Sequence, residues 1–189
     1  MRRKVIQQAY YLVVFCLFLS PVTAAPPPTF DVKSASTQRD GTVYFLNAVF
    51  DINFPHYIIE SFEQGFDVPV LMEVEVFRDR NYWVDEKVVY IKQQYGLQYH
   101  PVLDSISIFN VNRGSRQYFS SLDEAVNQLS VVLGYPMLDR NNLLPGEEYY
   151  ARLRLGIDEL EIPIPLKSSA LWENDWDLVS DWYEWMVTH

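Results

Sequence analysis

Leu143-Leu-Pro-Gly-Glu-Glu-Tyr149-Tyr-Ala-Arg-Leu-Arg-Leu155 is the stretch that decides the fold. A Pro-Gly turn leads to Tyr149, and the tyrosine opens an alternating run. Tyr149, Ala151, Leu153 and Leu155 share one face, while Tyr150, Arg152 and Arg154 share the other. Period two of this kind marks a strand with one buried face.

The Leu-x-Pro-Gly-x-x-Tyr spacing is similar to the tyrosine corner of immunoglobulin- and fibronectin-type sandwiches. There the hydroxyl bonds to backbone a few residues upstream and fixes a crossing between sheets. Other segments agree. In Thr42–Phe54, Tyr44, Leu46, Ala48, Phe50, Ile52 and Phe54 share one face and Asn47, Asp51 and Asn53 fall on the other, a second strand. Val68, Val70, Met72, Val74 and Val76 alternate with residues that include Glu73 and Glu75, a third, its two carboxylates facing solvent. Runs 87–99 and 105–112 are rich in Val, Ile, Tyr and Phe, as strands are. Two short helices are expected among them. Pro55 precedes one at 56–64, stopped by Gly65. Ser121 and Glu124 form a capping box for the other, whose stripe of Leu122, Ala125, Val126, Leu129 and Leu133 is ended by Gly134 and Pro136. Gly114-Ser115-Arg116 reads as a loop leading into it. The expected architecture is a mainly β, immunoglobulin/fibronectin-like sandwich with one or two inserted short helices and a Trp-rich C-terminal tail. Ile162-Pro-Ile-Pro165 cannot lie inside a sheet. The tail from Leu171 carries Trp172, Trp176, Trp182 and Trp185, expected to cover an edge or face of the sandwich.

The N-terminus gives the compartment. Arg2-Arg3-Lys4 precede an apolar run from Ala9 to Leu19, then Ser20-Pro21 and the small residues Ala24-Ala25, the three-part pattern of a secretory leader. An 11-residue run is short of the ~20 residues a spanning helix needs. The expectation is a signal peptide over 1–24, cleaved after Ala24, then a Pro-rich spacer over 25–40 and a single β-sandwich domain over 41–189. Stable membrane insertion after cleavage is not expected. Cleavage removes the single cysteine, Cys16, and deepens the formal charge from −10 to −13. That charge argues against nucleic acid as a partner. Aromatics at 15% argue against a disordered chain.

Chemistry is sparse. His56, His100 and His189 form no local pair with zinc-ligand spacing, so no metal or other cofactor is expected. There is no nucleophile elbow and no phosphate-binding glycine loop. The carboxylates read as solubilising. No catalytic residue is assigned, and a non-enzyme is expected. One constellation stands out: Val76-Phe-Arg78-Asp-Arg80-Asn-Tyr82-Trp83, with Arg78, Arg80, Tyr82 and Trp83 together at a strand end. Two readings compete. Arg78 and Arg80 pair with carboxylates and cap the sandwich, with Trp83 in the core; or Arg78, Arg80, Tyr82 and Trp83 form a partner-binding patch, since these residue types are enriched at interface hot spots.

The ordered set Phe50-Asp51-Ile52, Phe77-Arg78-x-Arg80-x-Tyr82-Trp83, Phe119-Ser-Ser-Leu122-Asp-Glu-Ala125, Pro145-Gly-x-x-Tyr149, Ile162-Pro163 and Trp176-x-Leu178-x-Ser180-x-Trp182 resembles the bacterial family catalogued as domain of unknown function 4390. Its members are exported proteins described as proline-rich signal-peptide proteins. The resemblance implies a Gram-negative periplasm. It also implies a gene neighbourhood beside a membrane sensor kinase, and so an envelope or membrane protein as partner. It carries no ligand or catalytic residue. The functional expectation is a non-catalytic periplasmic binding protein; the alternative is a small-ligand carrier with an aromatic-lined cavity between the sheets.

Overall fold

The alternating segments become strands among nine in a computed structural model that describes residues 29–80, 82–162 and 176–187. β1 (Thr29–Asp40), β2 (Val43–Asn53) and β7 (Val131–Asp139) make a three-stranded sheet in that order. β3 (Val68–Arg78), β4 (Glu86–His100), β5 (Ser105–Asn110), β6 (Ser115–Phe119), β8 (Tyr149–Ile157) and β9 (Tyr183–Met186) make a six-stranded sheet ordered β6-β5-β4-β3-β8-β9. The paired strands are antiparallel throughout. In immunoglobulin lettering β1, β2 and β7 take the places of A, B and E. β9, β8 and β3 take those of G, F and C, and β4 and β5 extend that sheet as C′ and C″ do in variable-type domains.

The core forms because both sheets turn their alternating apolar faces inward. Val68, Val70, Met72, Val74 and Val76 on β3 are fully buried, with Ala151 and Leu153 of β8 beside them and Tyr44, Leu46, Ala48 and Phe50 of β2 also in the core. The tyrosine corner is present. The Tyr149 hydroxyl accepts from the backbone N–H of Leu144 at 2.9 Å, at the turn where the chain passes from β7 to β8. Tyr149 is buried, so Tyr149→Phe leaves that amide without its acceptor. A stability loss of about 1–2 kcal/mol is expected, read as a lower urea midpoint at unchanged m value.

Helix α1 (His56–Glu63) ends as expected at Gly65. Gly65 N–H donates to Phe62 C=O at 2.9 Å and Phe66 N–H to Ser61 C=O at 3.1 Å, the paired bonds of a Schellman motif. Helix α2 (Leu122–Leu129) begins at Ser121, whose hydroxyl accepts from Glu124 N–H at 3.2 Å. The returning half of the box is displaced by one residue: Glu124 accepts from the N–H and hydroxyl of Ser120.

Three sequence expectations need correction. Residues 29–40 are strand β1, not a spacer. The helix does not continue to Leu133. After Ser130 the β-branched Val131-Val132 pair with Val49 and Ala48 of β2, and the free edge of that strand draws them out of the helix. Gly134, at φ 61°, takes the extra residue of a bulge between Tyr135 and Val132, and its N–H donates to Asn47 Oδ1 at 2.9 Å. Pro136 is tolerated because β7 is an edge strand. Third, Gly114-Ser115-Arg116 is not a loop into the helix, because Ser115 already begins β6.

The tail docks as expected. Val179 bridges to Gly156 and β9 pairs with β8, while Trp185 Nε1–H donates to Thr37 Oγ1 of β1 at 2.7 Å. Trp176 is buried in the core. Trp172, Ile162-Pro-Ile-Pro165 beyond Ile162, the leader expected over 1–24 and His189 lie outside the described residues.

Candidate functional site

The β3–β4 hairpin runs past the sandwich, and its register explains how the arginine and aromatic residues divide. Val76 pairs with Val89 but Phe77 with Lys87, so β4 carries one extra residue at this point. The bulge twists the pair and carries Arg78 to the rim. There the guanidinium groups of Arg78 and Arg80 both bond the Glu86 carboxylate across the hairpin. The bond from Arg80, with Arg78 adding to it, holds that carboxyl below its ordinary pKa.

Further bonds fix the loop. Asp85 accepts from Arg80 N–H at 3.2 Å and from the Tyr150 hydroxyl at 2.8 Å. Burial and the bond to Asp85 push Tyr150 up to about 12, so it stays a donor. Asp79 N–H reaches Glu148 C=O at 3.0 Å, and Trp83 N–H closes a turn on Arg80 C=O at 3.1 Å. Beyond this braced base the tip has little to pack on. Tyr82 is 95% exposed, Trp83 82% and Val84 89%.

The four residues singled out in the sequence therefore divide into two roles. Arg78 and Arg80 are paired with a carboxylate and shape the hairpin base. Tyr82 and Trp83 are presented to solvent, and Trp83 is not a core residue. Sequence reasoning missed Val84, which completes the apolar tip, and Glu86, which joins the two arginines. The signal for Glu86 was the hairpin register, which places it opposite Arg78.

The outer face behind the hairpin is a ladder of charge and rings. Glu75 accepts from Arg152 Nε at 2.7 Å and from Lys87 at 2.5 Å, and Glu73 accepts from Arg154 Nε at 2.6 Å and from the Tyr90 hydroxyl at 2.5 Å. Arg152 lies 4.9 Å from the Phe77 ring and 4.4 Å from that of Trp182; Arg154 lies 4.5 Å from Trp182. The carboxylates are on the face the alternation assigned, but Glu75 is only 5% exposed, so it is a structural ion pair and not a solubilising charge.

Of the histidines, His100 Nε2 shares a hydrogen bond with the Ser107 hydroxyl at 2.8 Å. Among the described residues no three His, Cys, Asp or Glu side chains are grouped to hold a metal ion. No helix among them is long and apolar enough to cross a membrane.

A family model, Domain of unknown function (DUF4390), matches residues 28–186. The chain belongs to this family. The DUF4390 match takes in β1, in keeping with residues 29–40 being part of the domain, and it takes in the whole hairpin and the docked segment through β9. No curated protein and no solved structure shows a significant match to this DUF4390 chain.

Proposed function

We propose that the protein is a non-catalytic binding module of the bacterial periplasm, exported by a leader cleaved after Ala24. It engages an envelope protein through Tyr82, Trp83 and Val84. One observation carries the reading: three consecutive large apolar side chains are solvent-exposed on a loop whose base is braced by Arg78, Arg80, Asp85, Glu86 and Tyr150. Nothing in the fold gains from exposing a tryptophan. A partner gains a large anchor on a loop whose base is already held by these bonds, which lowers the cost of binding. The cleaved chain, formally −13 once Arg2, Arg3 and Lys4 are gone, is repelled by anionic lipid, which favours a protein over a membrane surface. The family resemblance suggests the periplasmic part of a membrane sensor kinase.

The test is crosslinking in intact cells with a tagged chain. One membrane protein is expected on the wild type and lost from Tyr82→Ser with Trp83→Ser. The melting temperature should hold to within about 2 °C, since exposed substitutions away from packing cost little. A crosslink unchanged in the double variant, or partitioning of the wild type onto lipid vesicles instead, would overturn the reading. Small-ligand carriage, the second reading, has one observation in its favour: an open cleft beside Tyr95 and Tyr135, where the three-stranded sheet ends short of β5 and β6.

A further inference from the structure

The six-stranded sheet is wider than the sheet packed on it, so its inward face is left partly uncovered beyond β4. Helix α2 and the start of β7 roof this region and leave a cleft of about 220 Å³. At ~30 Å³ per water this is room for roughly seven waters. Tyr95 of β4 pairs with Val70 and with Asn110, which places it on the inward face. Along β4 it stands nine residues from Glu86, on the order of 30 Å from the hairpin base, so this site is independent of the tip.

The polar groups of the cleft are of two kinds. One set is closed. The Gln93 amide, almost fully buried, donates to Asn110 Oδ1 at 2.9 Å and Asn112 Oδ1 at 2.8 Å, and its carbonyl accepts from the Tyr135 hydroxyl at 3.2 Å. This network fixes Tyr135 and Asn110 at the cleft wall. The other set is open. Among the described residues the Arg113 guanidinium has no carboxylate partner and only the Tyr135 ring beside it, at 6.0 Å. The Tyr95 hydroxyl has no hydrogen-bond partner among them either. Burial, with Tyr135 adding and Arg113 opposing, raises the Tyr95 pKa, so the hydroxyl remains a donor. In a chain with 25 acidic residues to 15 basic, an arginine at a cleft mouth with no acidic partner is a place for an external anion. Ile108, Leu129 and Val132 supply apolar wall.

We propose that this cleft binds a small organic carboxylate with an apolar or aromatic body of about ten non-hydrogen atoms, its carboxylate on Arg113 and Tyr95 and its body against Leu129 and Val132. A guanidinium and a phenol hydroxyl both donate, which suits a carboxylate and leaves a neutral amide of the same shape poorly matched.

The test is calorimetric titration of the purified protein with phenylacetate and, separately, phenylacetamide. Saturable binding of phenylacetate with a Kd on the order of 0.1–5 mM is expected, with the amide at least fivefold weaker. Arg113→Gln and Tyr95→Phe should each weaken phenylacetate at least threefold. Arg116→Gln, on the opposite face of β6, should leave it unchanged. Acetyl-Ala-Phe with a free carboxylate is run alongside. Tighter binding than phenylacetate assigns the carboxylate to a peptide chain end, and weaker binding assigns it to a free acid. Equal binding of acid and amide, indifference to Arg113→Gln in a variant that melts like the wild type, or no saturable heat at about 10 mM would overturn the proposal.

Discussion

Gly156→Ala is expected to lift the C-terminal segment off β8 and lower stability by about 3 kcal/mol. The cause is not backbone conformation but approach. A Cβ at position 156 would lie 2.6 Å from Leu178 O, 2.8 Å from Val179 Cα and 2.9 Å from Val179 Cβ. Two of these are backbone atoms, so no rotamer change relieves them. The segment is pinned at that point by Ile157 N–H on Leu178 C=O at 2.8 Å, Ser180 N–H on Leu155 C=O at 2.8 Å and Leu155 N–H on the Ser180 hydroxyl at 3.1 Å. To admit a methyl, the crossing strand must back away and strain all three. Overpacking of this kind costs ~1–3 kcal/mol, and each weakened bond adds up to ~1. The segment also holds Trp176 and Val187 in the core. Urea unfolding should show a lower midpoint, and hydrogen exchange should show protection lost first at Ile157 and Ser180. Gly96→Ala is the control: its added Cβ meets nothing within 4 Å, and it should cost no more than ~1 kcal/mol. A wild-type midpoint for Gly156→Ala would mean that the segment does not cross there.

Gly156 also shows where the sequence stops being legible. In the run from Tyr149 it reads as the next outward position of an alternating strand, and nothing local announces that another segment will lie upon it. The alternating strands were legible because each buries every second residue, so their faces are written in the chain. β1 was not, because its bulge between Val32 and Ser34 breaks the parity. Phe30, Val32 and Ala35 are buried at uneven spacing, and the pattern looks like loop. β6 was not legible for the opposite reason: an edge strand of Ser-Arg-Gln-Tyr-Phe with almost no burial has no apolar face to alternate. The overlong helix had a sound stripe up to Leu129. What ended it was a vacant sheet edge on β2, a tertiary fact that propensity does not contain.

The candidate site was legible in composition and not in geometry. Arginines and aromatics at a strand end were visible. That the two arginines share Glu86 depends on hairpin register, and that Trp83 faces water depends on how far the hairpin overhangs the second sheet. Arg113 and Tyr95 were invisible as a pair: they are 18 positions apart, brought to one cleft by the pairing of β4 with β5.

Glu75→Gln is expected to destabilise the protein by about 2–3 kcal/mol at neutral pH and to flatten its acid sensitivity. The magnitude falls between two limits. Exposed ion pairs give up to ~1 kcal/mol, and removing one partner of a fully buried pair costs ~3–5. Glu75 is nearly buried, while the side chains of Arg152 and Lys87 are 30% and 46% exposed, so the intermediate value applies. Burial pushes the Glu75 carboxyl up, but the bonds from Lys87 and Arg152 more than reverse this and leave its pKa below the ordinary value of 4.5. A carboxyl lowered on folding contributes stability that is fully present above its unfolded pKa and is lost as pH falls through the folded one. The wild-type and Glu75→Gln stabilities, measured by urea at pH 7 and at steps down to about pH 3, should therefore converge with acid. Parallel curves would show that the carboxylate charge contributes nothing. The two large effects should also be coupled. Arg152 lies between Phe77 of β3 and Trp182 of the C-terminal segment, so the ion pair holds the very ring that Gly156→Ala would displace. Once the segment is loosened, Arg152 loses one stacking face and becomes a less constrained partner for Glu75. The double variant should accordingly be more stable than the sum of the single losses by at least ~0.5 kcal/mol. Strict additivity would mean that the charge ladder braces the sheet alone and plays no part in seating the segment that closes the edge of β8.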